Sequence, residues 1–146
     1  MSDQPIRLPD HAYVPGITTR HPEGAFDDSR ATVSQGMSED ALAQSAAFQA
    51  GLLYRAAGYF WEAHEVLEPV WMACPQPSDA RALVQGIIQL ANAQLKLVMQ
   101  RPKAVVRLCD IADAHLAAIG GATVLGCDVS QLRDEIAAVR IVASEV

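Results

Sequence analysis

Between Gly58 and Trp71 the chain reads GYFWEAHEVLEPVW, which sets one histidine, three glutamates and two tryptophans into fourteen residues. On a helix His64 and Glu68 stand one turn apart, so both can act on the same group. As H-E-x-x-E the stretch is a variant of the zinc motif H-E-x-x-H, with His64 and Glu68 as ligands and Glu65 as base. An open catalytic zinc takes three protein ligands, so one more must come from elsewhere, and His11, His21 and His115 are the candidates. Without a metal, His64 is the general acid or base, Glu65 or Glu68 orients it, and Lys96 or Arg20 holds an anion. Cys74, just beyond the stretch, is the nearest thiol, although a free cysteine in such a place is commonly inert packing. In a third reading His64, Glu65, Glu68, Gln85, Gln89 and Lys96 form a buried network that fixes helix register.

These residues need helices to position them. Hydrophobic residues make up 51% of the 146 and charged ones 19%, a globular balance, and alanine-rich runs with few β-branched alternations predict an all-α fold. One core suffices at this length. Residues 38–146 are expected to form a bundle of about five helices. Ser38 caps a first helix that runs to Ala57 and stops at Gly58; a second covers residues 59–72; Ser78 caps a third that reaches about Met99. Pro102 opens a fourth, ended by Gly120 and Gly121, and Asp128 with Gln131 makes a capping box for the last. No repeat of 34 residues is present, although the helix lengths suit a helical hairpin.

The second helix carries an apolar arc of Phe60, Ala63, Val66, Leu67, Val70 and Trp71, with His64 at its border and Glu68, Trp61, Glu65 and Glu62 continuing round. Pro69 offers no amide hydrogen, so the Glu65 carbonyl loses its helical partner and a kink is expected. The third helix is apolar round most of its circumference. Its one polar strip is Gln85, Gln89, Asn92 and Lys96, bordered by the small residues Ala82, Gly86 and Ala93, where a neighbour can approach closely. Facing stripes of this kind predict a small-molecule pocket between the second and third helices, walled by Trp61, Glu62, Trp71, Gln85, Gln89, Asn92 and Lys96.

The stretch YFWEAHEVLEPVW followed by QGIIQLANAQLKL also resembles the domain-of-unknown-function family 309 over about residues 50–115. The resemblance implies an all-helical domain in which Glu62, His64, Glu65, Glu68, Trp71, Gln85 and Gln89 cluster, with no established activity. Members of this kind are sometimes labelled metal-dependent hydrolases. Lys96 departs from the pattern, standing where many relatives carry histidine, and an ammonium has no lone pair for a metal.

Residues 1–37 hold four prolines and three glycines without helical periodicity and predict an extended arm. His11, Tyr13, Val14, Arg20, His21, Glu23 and Phe26 give it enough apolar and functional chemistry to dock on the body. Its Arg-His-Pro-Glu segment is expected to act as a lid, with Arg20 and His21 reaching Glu65 and Glu68. His115 lacks a donor at helical spacing and reads as a satisfied histidine.

A net charge of −6 gives no basic footprint for nucleic acid or an anionic membrane surface. Three cysteines, Cys74, Cys109 and Cys127, without CxxC pairing exclude a disulfide framework and a structural zinc site. No signal-like stretch or run of about 18 apolar residues is present, which predicts a cytoplasmic location. Alanine faces such as Ala43, Ala46, Ala47 and Ala50 allow packing within the chain or across a homodimer. The residues favour a module that binds a small molecule or a protein, with no resident cofactor. The alternative is a hydrolase-like enzyme built on His64, Glu65 and Glu68 that uses a divalent metal such as zinc.

Overall fold

The computed structural model describes residues 6–145. Among them are seven helices and one two-stranded ribbon, so the molecule is mostly helical and the expected count of five is low. The helices are α1 (Asp27–Arg30), α2 (Glu39–Gln44), α3 (Ala46–Ala56), α4 (Phe60–Ala73), α5 (Asp79–Val98), α6 (Pro102–Ala117) and α7 (Val129–Ser144). None of the described helices is long and apolar enough to cross a membrane.

Two differences from expectation have local causes. The first predicted helix is broken in two at Ser45, whose ψ of 149° leaves the helical region. Its hydroxyl donates to the Leu42 carbonyl at 2.7 Å and accepts from the Phe48 amide at 3.2 Å, so one side chain closes α2 and opens α3. The Ala47 amide finds Thr32 Oγ1, 3.0 Å away on the arm. The second difference lies after α6, where β1 (Thr123–Val124) pairs antiparallel with β2 (Cys127–Asp128). Leu125 and Gly126, at φ 51° and 76°, make the two-residue turn, whose positive φ at both positions matches strand twist.

The other caps follow the sequence. Ser38, Ser78 and Asp128 accept from the amides of Ala41, Arg81 and Gln131, and Pro102 sits in the first turn of α6.

The central helix is α5, which packs on α4, α6 and α7. Leu83, Val84, Ile87, Leu90 and Ala91 are fully buried there. Two glycines set the helix spacing. A Cβ on Gly86 would stand 2.5 Å from Leu116 of α6, and one on Gly51 2.4 Å from Leu67 of α4, so α5/α6 and α3/α4 touch backbone to side chain. The small-residue border of the third predicted helix thus receives α6. Arg55, on α3, crosses to α7 and pairs with Glu135 at 3.2 Å.

The described part of the arm is not extended throughout, since α1 and several turns fold it back. Tyr13 and Val14 are buried, and Ile6, Phe26, Val33 and Met37 pack against the core. The arm lies against α3 and α4, the helix that carries the glutamates.

Candidate functional site

Glu62 occupies the first turn of α4, where a carboxylate meets the positive end of the helix dipole. It is nonetheless fully buried, at 0% exposure, which an unpaired carboxylate could not sustain. The arm supplies the partners. The Tyr13 amide donates to Glu62 Oε2 at 2.7 Å, and His21 Nε2 lies 2.5 Å from the same oxygen. The His21 side chain is itself only 8% exposed. The second carboxylate oxygen, Oε1, is buried without a hydrogen-bond partner among the described residues. Burial, and then the charge of Glu62, push the Tyr54 hydroxyl above its ordinary range.

Aromatic rings enclose this pair. Tyr13 meets Trp61 edge-on with centroids 5.1 Å apart, His21 meets Phe26 edge-on at 5.1 Å, and Trp61 lies 6.1 Å from both His21 and Phe26. His11 stacks on the far face of the arrangement, 4.6 Å from His21. Outside the rings a cleft of about 570 Å³ opens between the arm and α4, walled by Arg20, His21, Phe26, Arg30, Trp61 and Glu65. A second cleft of about 780 Å³ lies toward Tyr54 and shares the His21 and Phe26 wall.

One turn along α4 the same residue types meet solvent. His64 Nδ1 is 3.0 Å from Asn92 Oδ1 of α5, the Asn92 amide donates to Gln89 Oε1 at 3.4 Å, and His64 Nε2 is 3.4 Å from Glu68 Oε2. Here His64 is 33% and Glu68 42% exposed. Arg30 approaches Glu65 and Glu68, each at 3.8 Å. Its guanidinium also donates to the Glu65 carbonyl, the group that Pro69 leaves without a helical donor. The helix is continuous from Phe60 to Ala73 across Pro69, and the arm supplies a donor for the carbonyl that the proline leaves free.

The residues expected to wall one pocket therefore fall in separate places. Trp61 and Glu62 sit beneath the arm, while His64, Glu68, Gln89 and Asn92 form the half-exposed row. Trp71 and Gln85 line another groove of about 310 Å³ with Arg81 and His115, where the Arg81 guanidinium lies 4.2 Å above the Trp71 ring and donates to the Cys74 carbonyl at 3.1 Å. Lys96 is half-buried and makes no ion pair among the described residues. Ala63, Val66 and Val70 of α4 and Val84, Ile87 and Ala91 of α5 are buried in the common core.

The lid expectation is corrected in its contacts. His21 reaches Glu62 rather than Glu65 or Glu68, Arg20 donates to the Tyr13 hydroxyl at 3.2 Å, and Arg30 makes the ion pairs instead. Among the described residues no group of three or more His, Cys, Asp or Glu side chains is arranged to hold a metal ion. His64 and Glu68 are adjacent, but the candidate third ligands are engaged elsewhere: His21 on Glu62, His11 on the Thr19 carbonyl, and His115 in the groove with Gln85. A three-ligand zinc set does not assemble from them. Cys74 is no better as a nucleophile, since burial pushes its thiol up to about 11 despite Arg81 nearby, and burial likewise raises Cys109 and Cys127.

What the residue spacing missed is the Glu62–His21 pair and the role of Arg30. The second had a signal, because the carbonyl four residues before Pro69 must find a donor somewhere. The first had none in local spacing, as its members lie 41 residues apart.

No curated protein and no solved structure matches the chain. A family model does match, over residues 48–108, which run from α3 into α6 and carry Glu62, the His64 row, Trp71 and Gln85 but none of the arm. The family is the one described as Domain of unknown function (DUF309), and the chain is similar to it over that stretch.

Proposed function

We propose that the chain is a small-molecule-binding module, with its ligand held in the cleft between the arm and α4. The observation that carries this reading is the cleft of about 570 Å³, walled by Trp61, Phe26 and His21, the last of which contacts a buried carboxylate whose second oxygen has no partner among the described residues. Apolar walls with a few convergent polar groups are what small-molecule sites use, and a buried polar atom without a partner asks for a functional account. Neither nucleic acid nor a membrane surface belongs to this reading, and a cytoplasmic location goes with it.

The test uses the two tryptophans. Replacing Trp71 with Phe leaves Trp61 as the only indole, and the full-length variant is titrated with small flat organic acids, bases and neutral amides while emission is followed. Saturable change by one chemical class is expected. No saturation by any class up to about 10 mM, which corresponds to binding weaker than about −3 kcal/mol, would refute the reading.

A hydrolase-like reading has one observation in its favour: the half-exposed His64 ring is held on both nitrogens, by Asn92 and Glu68, as an acid or base needs. Hydrolysis of p-nitrophenyl acetate by the native chain and by His64→Ala separates the two. Equal rates are expected for a binding module, and a rate lost with His64 would favour the enzyme.

A further inference from the structure

We infer that the aromatic box beneath the arm is a recognition site for a flat organic cation, such as an amidinium, with Glu62 as its counter-ion and His21 as the chain's own occupant. This rests on the small-molecule reading of the neighbouring cleft and specifies the chemistry of what enters it.

Three features point the same way. First, Glu62 is fully buried, with Oε2 occupied by Tyr13 and His21 and Oε1 buried without a hydrogen-bond partner among the described residues. A carboxylate has about four lone-pair positions in two planar pairs, and a forked N–H donor is the group that matches both oxygens. Second, the walls are rings. Trp61 and Phe26 flank the carboxylate's partner and Tyr13 packs on Trp61, and ring faces attract cations at close range. Third, a flat nitrogen heterocycle already fits: the His21 imidazole lies 2.5 Å from Glu62 Oε2 at a 30° tilt to Trp61.

His21 is also the part a ligand would replace. It comes from a segment without regular structure, between the turn at 15–18 and α1, and it walls both the 570 Å³ and the 780 Å³ clefts. A ligand that takes its place from the cleft would meet Glu62 Oε2, the oxygen that His21 holds. The charges near the mouth suit a cation, because Glu23, Asp27 and Glu65 stand there against Arg20 and Arg30, and the whole chain carries a net charge of −6. Arg20 donates to the Tyr13 hydroxyl, with its guanidinium 5.7 Å from that ring, so a planar cation already lies against one wall of the box.

The experiment titrates benzamidine into the full-length native chain, His21→Ala and His21→Ala/Glu62→Gln by calorimetry, with benzoate and benzamide as an anion and a neutral molecule of the same shape. Benzamidine is expected to bind His21→Ala at least about tenfold more tightly than native, and to lose about tenfold or more when Glu62 becomes Gln. Equal affinity for native and His21→Ala, or binding that survives the Glu62 change, would overturn the inference. If His21→Ala frees the arm, benzamidine is expected to reseat it, read as restored exchange protection of the Tyr13 amide; no restoration also overturns it. Saturable binding of benzoate without benzamidine would refute the cation site while leaving the small-molecule cleft standing, whereas silence from all three probes and from the wider Trp61 titration would remove both.

Discussion

Two successive turns of α4 carry the same chemistry in different surroundings. In the first, Glu62 meets His21 with 0% and 8% of their side chains exposed; in the next, Glu68 meets His64 with 42% and 33% exposed. The separations differ accordingly, 2.5 Å against 3.4 Å. Where water is excluded, a carboxylate must find donors or stay out, so the arm and Glu62 depend on each other. Where water reaches, it shares the work and each contact contributes little. Residue type is common to both turns, and burial separates their roles.

The largest effect is expected from Glu62→Ala. It strands the Tyr13 amide and the His21 imidazole in a dry site and should cost about 3–5 kcal/mol in urea unfolding, with protease cutting newly admitted within residues 15–36. A loss below about 1 kcal/mol would collapse the contrast between the turns. Arg30→Ala comes next. It leaves the Glu65 carbonyl above Pro69 without its donor, for a cost of about 1–2 kcal/mol, and Pro69→Ala in the same chain should cancel most of that loss by restoring the helical bond. His64→Ala should cost about 1 kcal/mol or less, because Asn92 and Glu68 turn to water; a cost above about 2 kcal/mol would make the outer row as obligatory as the inner pair. Cys74 sits at the bottom of the series. With its thiol pushed up to about 11, only about one thousandth is thiolate at pH 8, and labelling by a disulfide reagent should be far slower than in urea.

The helices and caps were legible because they are local. Ser38, Ser78, Pro102 and Asp128 each act within one turn, and the apolar circumference of the third predicted helix matches the burial of α5 at the centre. Ser45 was readable in principle, since it has the same capping hydroxyl as Ser38, but the alanine-rich context on both sides favours continuing the helix, and the bond from Ala47 to Thr32 that helps to break it comes from the arm. The ribbon at 123–128 rests on a Leu125–Gly126 turn too short to show a period.

For the site, the polar residues of α4 and α5 were visible and their division was not. His64 does meet Asn92 and Glu68, as facing stripes suggest. Glu62 belongs to another neighbourhood because its partners arrive from His21 and Tyr13, 41 and 49 residues away, and pairing at that distance leaves no mark in helical spacing. Arg30 rather than Arg20 pairs with Glu65 and Glu68 for the same reason: α1 is only four residues long, and Phe26 just before it packs against Trp61 and Tyr54.

The arm's attachment to Glu62 is the centre of this account, and the Tyr13 amide reports it most directly. Hydrogen exchange of that amide, followed by NMR in the native chain and in Glu62→Ala, should show strong protection that disappears in the variant while amides of α5 stay protected. Exchange of Tyr13 at the rate of an unstructured peptide in the native chain, or protection unchanged without Glu62, would contradict it.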